Sequence, residues 1–457
     1  MPALFDPNDP RPIHFLGIGG AGMSALALAA RRRGVAVTGC DLDDAAFGDL
    51  RTAGATVEIG FDLAHLVGAR AVVATAAASP DHPELQAARA AGLPVIFRKQ
   101  ALAELVNGTT LVAIAGTHGK TTTTVMTTEA LRAGGLRPSG LAGGRVASWG
   151  GNALLDGDAL FVVEADEYDQ AFLTLAPTIA VVNNVEADHL ECYGSVAALE
   201  AAFVTFAGRA SQALVGTADA GSDRVAAALG QSPWRFGVDR ADLTIAVRNL
   251  GPDGSTADVT LPDESTVRLG LRVPGVHNLR NATAALGVVV ALGASVDAAL
   301  DALIAFGGVG RRFERLGEAC GVTFVDDYAH HPTELAATLA AARQAFPERR
   351  LVAVFQPHLY SRTRVHGDTM GRVLAAADVV VVADVYGARE QPIAGVTGKL
   401  VADAATAAGA FVLYEPSRDD LAAETAALLR DGDVLLTLGA GDVTRVGPEV
   451  RALLRAR

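Results

Sequence analysis

Lys120, directly behind a glycine-framed loop, is the residue around which chemistry is most readily built in this 457-residue chain. Residues 111–124 read LVAIAGTHGKTTTT. Residues 111–114 are apolar enough for a buried strand. Gly116 and Gly119 then frame a tight loop holding Thr117 and His118, and Lys120, Thr121 and Thr122 open a helical run that stops at Gly134 and Gly135. Strand, glycine loop and helix N-terminus in that order make a phosphate cradle. Backbone N–H groups and the helix dipole face the anion, the lysine adds charge, and the threonine hydroxyl suits Mg²⁺. The longer glycine-loop signature is incomplete, because Ile114 stands where its first glycine would be. An ordinary strand-to-helix turn would need no lysine. Yet Lys99, Lys120 and Lys399 are the only lysines among 38 basic side chains, and arginine is a poor substitute for a compact ammonium tucked against phosphates.

Other candidate groups follow strands in the same way. Residues 160–163 form an apolar run that ends in Glu164, Asp166, Glu167 and Asp169. A carboxylate at the C-terminal end of a strand beside a phosphate loop is where Mg²⁺ is held, and Glu164 fits that place; a solvated acidic turn is the plainer account, better suited to Asp169. His189 lies just past the next strand, residues 178–183, on the same edge. Asn278 and Asn281 are three apart in the first turn of a helix, so they share a face that grips a base or a phosphate, or else cap the helix. A strand over 322–325 runs into Asp326, Asp327, Tyr328, Ala329, His330 and His331, read as a loop before a helix from Pro332 to Phe346. Adjacent histidines suggest a metal, but no further ligand spacing completes a zinc set, so the loop is read as contacting substrate. After a strand over 351–355 come His358, Arg362 and Arg364, read as a loop whose two arginines suit a carboxylate or phosphate.

These groups need a scaffold of alternating strands and helices. A strand at 13–17 leads into GIGGAGMS, where Gly17, Gly19 and Gly22 form G-x-G-x-x-G and Gly20, Met23 and Ser24 enter a helix ending at Gly34. A second strand, 35–39, leads to Asp41, placed where a dinucleotide-binding fold sets the acid that meets a ribose hydroxyl. Strands at 71–75 and 94–97 complete that domain. Residues 238–272 read as a polar antiparallel segment, and strands at 379–383, 411–413 and 434–438 alternate with helices. The fold class is α/β in three domains: Rossmann-like over 1–108, a central P-loop ATPase-type α/β domain over 109–309, and a second Rossmann-like domain over 310–457.

Half the residues are hydrophobic, 19% are charged and the formal net charge is −13, which disfavours nucleic acid or an acidic membrane as a partner. Cys40, Cys192 and Cys320 are too few and too scattered for a disulfide framework or zinc knuckle. No signal-type N-terminus is present, and the longest apolar run, 282–296, is too short to span a bilayer. The expectation is a cytoplasmic protein.

The segments GIGGAGMS, AGTHGKTTTT, EADEYD, NNVEADH, GVHNLRNA, GRRFE, DDYAHHPTE and FQPHLYSRT, in this order, resemble the Mur ligase family, the ATP-dependent amide-forming enzymes of peptidoglycan synthesis. DDYAHHPTE, FQPHLYSRTR and VYGAREQPIAG resemble the alanine-adding branch. The resemblance implies an enzyme that activates the carboxylate of UDP-N-acetylmuramate as an acyl phosphate with ATP and Mg²⁺, then joins it to L-alanine. It implies that Gly116, Thr117, His118, Gly119, Lys120, Thr121 and Thr122 bind ATP with Asn278 and Asn281. Thr121, Glu164 and His189 would hold Mg²⁺, and Arg312 and Asp327 would reach the nucleotide from the third domain. Gly17, Gly19, Gly20, Gly22, Met23, Ser24 and Asp41 would bind the UDP substrate, and His330, His358, Arg362 and Arg364 would line the amino-acid pocket. Apart from the resemblance, His330 or His331 is a candidate base for the amine, with plain packing of the loop the equal alternative. A monomer or weak homodimer is implied. Several Mur ligases use a carbamylated lysine, whereas this chain has none between 121 and 398, as in the alanine-adding branch. Two features depart from that branch: Tyr168, and residues 75–82, TAAASPDH. The EADEYD form also occurs in the recycling branch, which joins the tripeptide L-Ala-γ-D-Glu-meso-diaminopimelate to UDP-N-acetylmuramate. A nicotinamide dehydrogenase would use Gly17 to Asp41 but leave Lys120, Glu164 and His189 idle. A nucleotide sensor would have no use for the acidic and histidine clusters.

Overall fold

Three sheets carry the alternation read from the sequence. The computed structural model describes residues 4–239, 241–388 and 390–456. Strands β1 (Ile13–Leu16), β2 (Val37–Asp41), β3 (Thr56–Ile59), β4 (Ala71–Ala74) and β5 (Val95–Phe97) form a parallel sheet in the order β3-β2-β1-β4-β5. Because β1 pairs with both β2 and β4, the winding reverses at its carboxyl end. A doubly wound sheet opens its ligand crevice there, and the loop starting at Gly17 follows. Side chains alternate faces. Ile13, Phe15, Val37 and Val73 enter one core, while Leu16, Cys40, Val72 and Ala74 pack with Leu85 and Ala88 of the helix Pro83–Ala90 in another. The sequence pattern passes over β3, since only Val57 of its four residues is buried.

The second sheet contains β6 (Thr110–Ala115), β7 (Pro138–Val146), β8 (Gly151–Leu154), β9 (Leu160–Glu164), β10 (Ile179–Val182), β11 (Gln212–Gly216), β12 (Trp234–Gly237), β13 (Leu243–Gly251), β14 (Gly254–Thr260) and β15 (Thr266–Leu271). Their order is β15-β14-β13-β12-β11-β10-β6-β9-β7-β8. β6 is central, parallel to β9 on one side and β10 on the other, and its near-continuous apolar run follows from cover on both faces. The loops after β6, β9 and β10 therefore emerge on one edge. β13, β14 and β15 are consecutive neighbours joined by short turns, a connection open only to antiparallel strands.

The third sheet contains β16 (Glu314–Ala319), β17 (Val322–Asp327), β18 (Leu351–Phe355), β19 (Val379–Val382), β20 (Val412–Tyr414) and β21 (Val434–Leu438), in the order β16-β17-β21-β18-β19-β20. It is parallel except for β16 against β17. Two sequence expectations are corrected here. Asp326 and Asp327 are the last residues of β17 rather than of a loop, and Arg362 and Arg364 lie in the helix Tyr360–Leu374. The strand extends because its neighbour β21 supplies hydrogen-bonding partners as far as Leu438.

The chain divides into two compact units, one mainly up to Phe306 and the other mainly from Gly307 onward. Within the first unit, the five- and ten-stranded sheets share a core that runs from Leu4 to Ala226. Asn152 Nδ2 donates to Ala21 O at 2.6 Å and to Ser24 Oγ at 3.0 Å, and Arg32 donates to Trp149 O at 2.8 Å. Among the described residues, no helix is long and apolar enough to cross a membrane.

Candidate active site

β6 delivers the chain into the loop from Gly116 to Gly119, and the helix Lys120–Ala133 begins at once with no side-chain cap. Its first N–H groups are thus left for an anion. Gly119 sits at φ +78°, and a Cβ there would lie 2.6 Å from Asn281 Oδ1, so the position accepts only glycine without strain. His118 is fixed from β10's end: its N–H donates to Asn184 Oδ1 at 2.7 Å, while Asn184 Nδ2 donates to its carbonyl at 3.1 Å. Its Nε2 lies 2.9 Å from Glu186 Oε2.

Lys120 folds back over the loop. Nζ donates to Gly116 O at 2.7 Å and to both oxygens of Glu167 at 2.9 Å. Burial alone would lower the lysine pKa, but the carboxylates of Glu167, Asp166 and Glu164 outweigh it and hold the ammonium above its ordinary range. Lys120 is therefore a fixed positive charge at working pH. Thr121 Oγ1 donates to Glu164 Oε2 at 2.8 Å, and the Gly143 N–H donates to the same oxygen at 2.7 Å. A hydroxyl and a carboxylate side by side form the oxygen-rich donor pair that a hard cation takes, so these residues fit Mg²⁺. His189, at φ +54°, is packed edge-on to Tyr168 with ring centroids 5.2 Å apart. Its hydrogen bond holds Glu191 below the usual carboxylate range. The structure thus joins Thr121 to Glu164 directly and sets His189 against Tyr168 and Glu191.

The first glycine loop has a similar frame and different contents. The helix Ala21–Arg32 starts at Gly20, again with no side-chain cap. Gly17 and Ile18 donate their N–H groups to Cys40 O at 2.9 and 3.1 Å. Asp41 accepts from the N–H groups of Gly19 at 2.8 Å, Leu42 at 2.7 Å and Asp43 at 3.2 Å. Both of its oxygens are engaged in bracing the loop. Met23 and Ser24 are buried behind the loop, with Ser24 Oγ donating to Gly20 O at 3.0 Å. Arg98, which the sequence reading did not single out, packs close enough to Gly22 that a Cβ there would lie 2.7 Å from its Nη1. Its Nη2 meets Asp166 Oδ2 at 3.2 Å.

In the second unit, Asp327 accepts from the N–H groups of Phe313 and Ala329, both at 2.8 Å. Burial raises its pKa to about 6 despite the opposing pull of Arg312. The Arg312 guanidinium lies over the Tyr328 ring, 5.1 Å from its centroid. His330 Nδ1 is 2.9 Å from Tyr328 O and therefore donates to it. His358 stacks on Tyr386 at 5.8 Å, faces His330 at 6.1 Å, and has Nδ1 3.3 Å from Arg362 Nη1. Arg362 is buried and Arg364 exposed, because residues two apart on a helix face different ways. The two guanidiniums, read from the sequence as one clamp, thus differ in exposure. His331 caps the helix Pro332–Ala345 in a capping box with Glu334, a structural task. Asn278 Nδ2 donates to Pro274 O at 2.7 Å, the opposite sense from an N-cap acceptor.

Comparison with known proteins bears on the whole length. Residues 12–110 match the Mur ligase family catalytic domain, 114–289 the Mur ligase middle domain and 311–441 the Mur ligase glutamate ligase domain. The UDP-N-acetylmuramate–L-alanine ligase of Clavibacter michiganensis subsp. michiganensis is 45% identical over 98% of this chain and 94% of its own length. The chain belongs to the Mur ligase family. The protein of the same name from Kineococcus radiotolerans is 47% identical over 97% of this chain and 96% of its own. Among solved structures, the UDP-N-acetylmuramate-alanine ligase MurC of Thermotoga maritima superposes with a TM-score of 0.84 at 28% identity, covering 97% of this chain and 99% of that one. The murein peptide ligase of Psychrobacter arcticus gives 0.74 at 27% identity, with 97% and 98% covered.

Three residues of this Mur ligase escaped the sequence reading. Glu167 was one acid among four, and only folding shows that it, not Glu164, takes the Lys120 ammonium. Arg98 sits at the head of an unremarked helix, Arg98–Val106. Tyr386 lies within VYGAREQPIAG, but nothing local announces its stacking on His358.

Proposed function

We propose that this Mur ligase joins L-alanine to the carboxylate of UDP-N-acetylmuramate at the expense of ATP. The observation that carries the reading is the loop at Lys120, where a half-buried, permanently charged ammonium and the Thr121–Glu164 pair meet an uncapped helix N-terminus. Such a group of charges stabilises a transferring phosphoryl group. The carboxylate of the sugar attacks the γ-phosphorus and ADP leaves. The alanine amine then attacks the acyl phosphate, and inorganic phosphate departs. Thr121 and Glu164, with His189, would hold Mg²⁺, which supplies charge neutralisation at the phosphates. Lys120 holds the β- and γ-phosphates, while the loop from Gly17 to Gly22 takes the UDP diphosphate on its backbone N–H groups. In this reading residues 1–108 bind the UDP substrate, 109–309 bind ATP, and 310–457 contribute Arg312 and Asp327 at the nucleotide and His330, His358 and Arg362 at the amino acid. Both nucleotide substrates place the reaction in the cytoplasm.

A recycling ligase that takes the murein tripeptide is the second reading, favoured by the EADEYD segment. The greater similarity of the alanine ligases, in identity and in superposition, weighs against it. Phosphate release from ATP with UDP-N-acetylmuramate and either L-alanine or the tripeptide decides between them. Release with alanine, lost in Lys120→Met, is the expected result. Release with the tripeptide alone selects recycling, and ATP binding without release in either case overturns both.

A further inference from the structure

The first sheet carries a group of side chains that the ligase reaction does not use. His14 on β1, Cys40 on β2, His65 in the turn Leu63–Leu66 and Glu84 in the helix Pro83–Ala90 converge on the face of the sheet that packs against this helix. Parallel pairing sets His14 beside Thr38 and Leu16 beside Cys40, so His14 and Cys40 share one face. His14, Cys40 and Glu84 are buried. One potential ligand atom from each of the four residues lies within 4.8 Å of the others.

The spacing is that of a coordination shell. Glu84 Oε2 lies 3.5 Å from His14 Nε2 and 3.4 Å from Cys40 Sγ, and His14 Nε2 lies 3.5 Å from Cys40 Sγ. These three atoms form a nearly equilateral triangle. Bonds of about 2.0–2.3 Å from a tetrahedral zinc ion give ligand-to-ligand edges of about 3.3–3.7 Å, so the triangle matches one face of such a tetrahedron. His65 Nδ1 lies 3.2 Å from the other carboxylate oxygen, Glu84 Oε1, and within the 4.8 Å that gathers the four residues, so it is the fourth ligand within reach. Hydrogen bonding to the carboxylate alone would not require the thiol and the His14 ring to approach each other as well. Outer contacts are in place too. His14 Nδ1 lies 3.0 Å from Thr38 Oγ1, which leaves Nε2 for the centre, and Glu84 Oε1 accepts the Asp62 N–H at 2.7 Å. Such supporting bonds orient metal ligands.

We propose that His14, Cys40, His65 and Glu84 form a structural site for one zinc-class divalent cation. Sulfur, imidazole nitrogen and carboxylate oxygen in a closed tetrahedral set select a borderline metal over Mg²⁺. Uptake of the cation forms the metal–sulfur bond and releases the Cys40 thiol proton to solvent, so binding tightens as pH rises. The site would tie β1, β2, the turn at His65 and the helix at Glu84 together, one residue before Asp41 and its braced glycine loop.

The test uses the untagged full-length protein, stripped with chelator and titrated with Co²⁺ as a spectroscopic stand-in for zinc. The expected result is uptake of about one Co²⁺ with a thiolate-to-cobalt charge-transfer band in the near ultraviolet and intense tetrahedral d–d bands. Cys40→Ala should lose the charge-transfer band. Cys192→Ala, which alters a thiol in the helix Leu190–Tyr193, should keep it. As a check that does not depend on the buried cysteine, zinc should raise the melting temperature of the stripped wild type by several degrees and that of His65→Ala by much less. Absence of a thiolate band in the wild type, or its survival in Cys40→Ala, overturns the proposal, as does an equal zinc effect on the melting temperatures of wild type and His65→Ala.

Discussion

The loop from Gly17 to Gly22 and the loop from Gly116 to Lys120 are built alike and equipped differently. Each follows a central parallel strand and feeds a helix with no side-chain cap, so each offers backbone N–H groups to an anion. In the first, Asp41 braces the backbone and the first turn of the helix carries no acid or lysine. In the second, a half-buried ammonium is held by the buried Glu167, and a hydroxyl–carboxylate pair stands beside it. Backbone geometry alone suffices to bind a diphosphate; moving a phosphoryl group requires fixed charge that follows the reaction. Under the proposed reaction, the difference between binding and chemistry would lie in a few side chains around Lys120.

The largest effect that would sharpen this contrast is in Lys120→Met. Loss of a transition-state contact to the phosphoryl group should lower kcat by about 10³-fold or more, while the affinity for UDP-N-acetylmuramate, measured by calorimetry, stays near that of the wild type. An equal loss of both would break the contrast. Because the substitution strands Glu167, and removing one partner of a buried pair costs about 3–5 kcal/mol, Lys120→Met/Glu167→Gln serves as the folded control.

Gly19→Ala should act the other way. The new Cβ would lie 2.5 Å from Asp43 O and 3.0 Å from Asp41 Oδ2, which distorts the braced loop. KM for the UDP substrate should rise by about tenfold, of the order of a lost charge-assisted hydrogen bond, with KM for ATP unchanged. A change confined to ATP would reverse the assignment of the two loops.

In the second unit the two arginines should part company. Arg362→Ala, which removes the partner of His358, should raise KM for alanine by about tenfold, whereas the exposed Arg364→Ala should stay within about twofold. Similar losses in steady-state kinetics would support the clamp read from the sequence.

The smallest effect is on stability. Asp327 has its pKa raised from 3.8 to about 6 by burial. The folded state therefore binds that proton more tightly than the unfolded state does. The resulting stabilisation is present below pH about 4 and is lost as pH rises through about 6, a difference of order 2–3 kcal/mol. Asp327→Asn should lack this slope, so the melting-temperature difference between wild type and variant should favour the wild type more at pH 4 than at pH 7. Parallel curves would show that the carboxyl is ordinary.

Much of this was legible in the sequence because it is local. The strand–loop–helix at Lys120, the glycines at 17, 19 and 22, and Pro332 opening a helix are each specified within about ten residues, by apolar runs, glycine conformations and caps. The misreadings have local causes as well. Arg362 and Arg364 follow a strand and precede no obvious helix signal, since the residue before the helix, Leu359, takes φ +70°, an unusual entry for leucine. The extension of β17 through Asp326 and Asp327 depends on β21, more than a hundred residues away in the chain.

The sequence by itself determined the α/β class, the two phosphate-type loops and the pairing of a lysine loop with downstream acids, because periodicity and turn chemistry act between near neighbours. Only the tertiary structure decided which acid takes Lys120, what Asp41 braces, and that His14, Cys40, His65 and Glu84 meet. Those outcomes depend on strand order and on which face of a sheet a side chain occupies. Both are fixed by burying apolar surface across the whole fold, and no single stretch of chain encodes them.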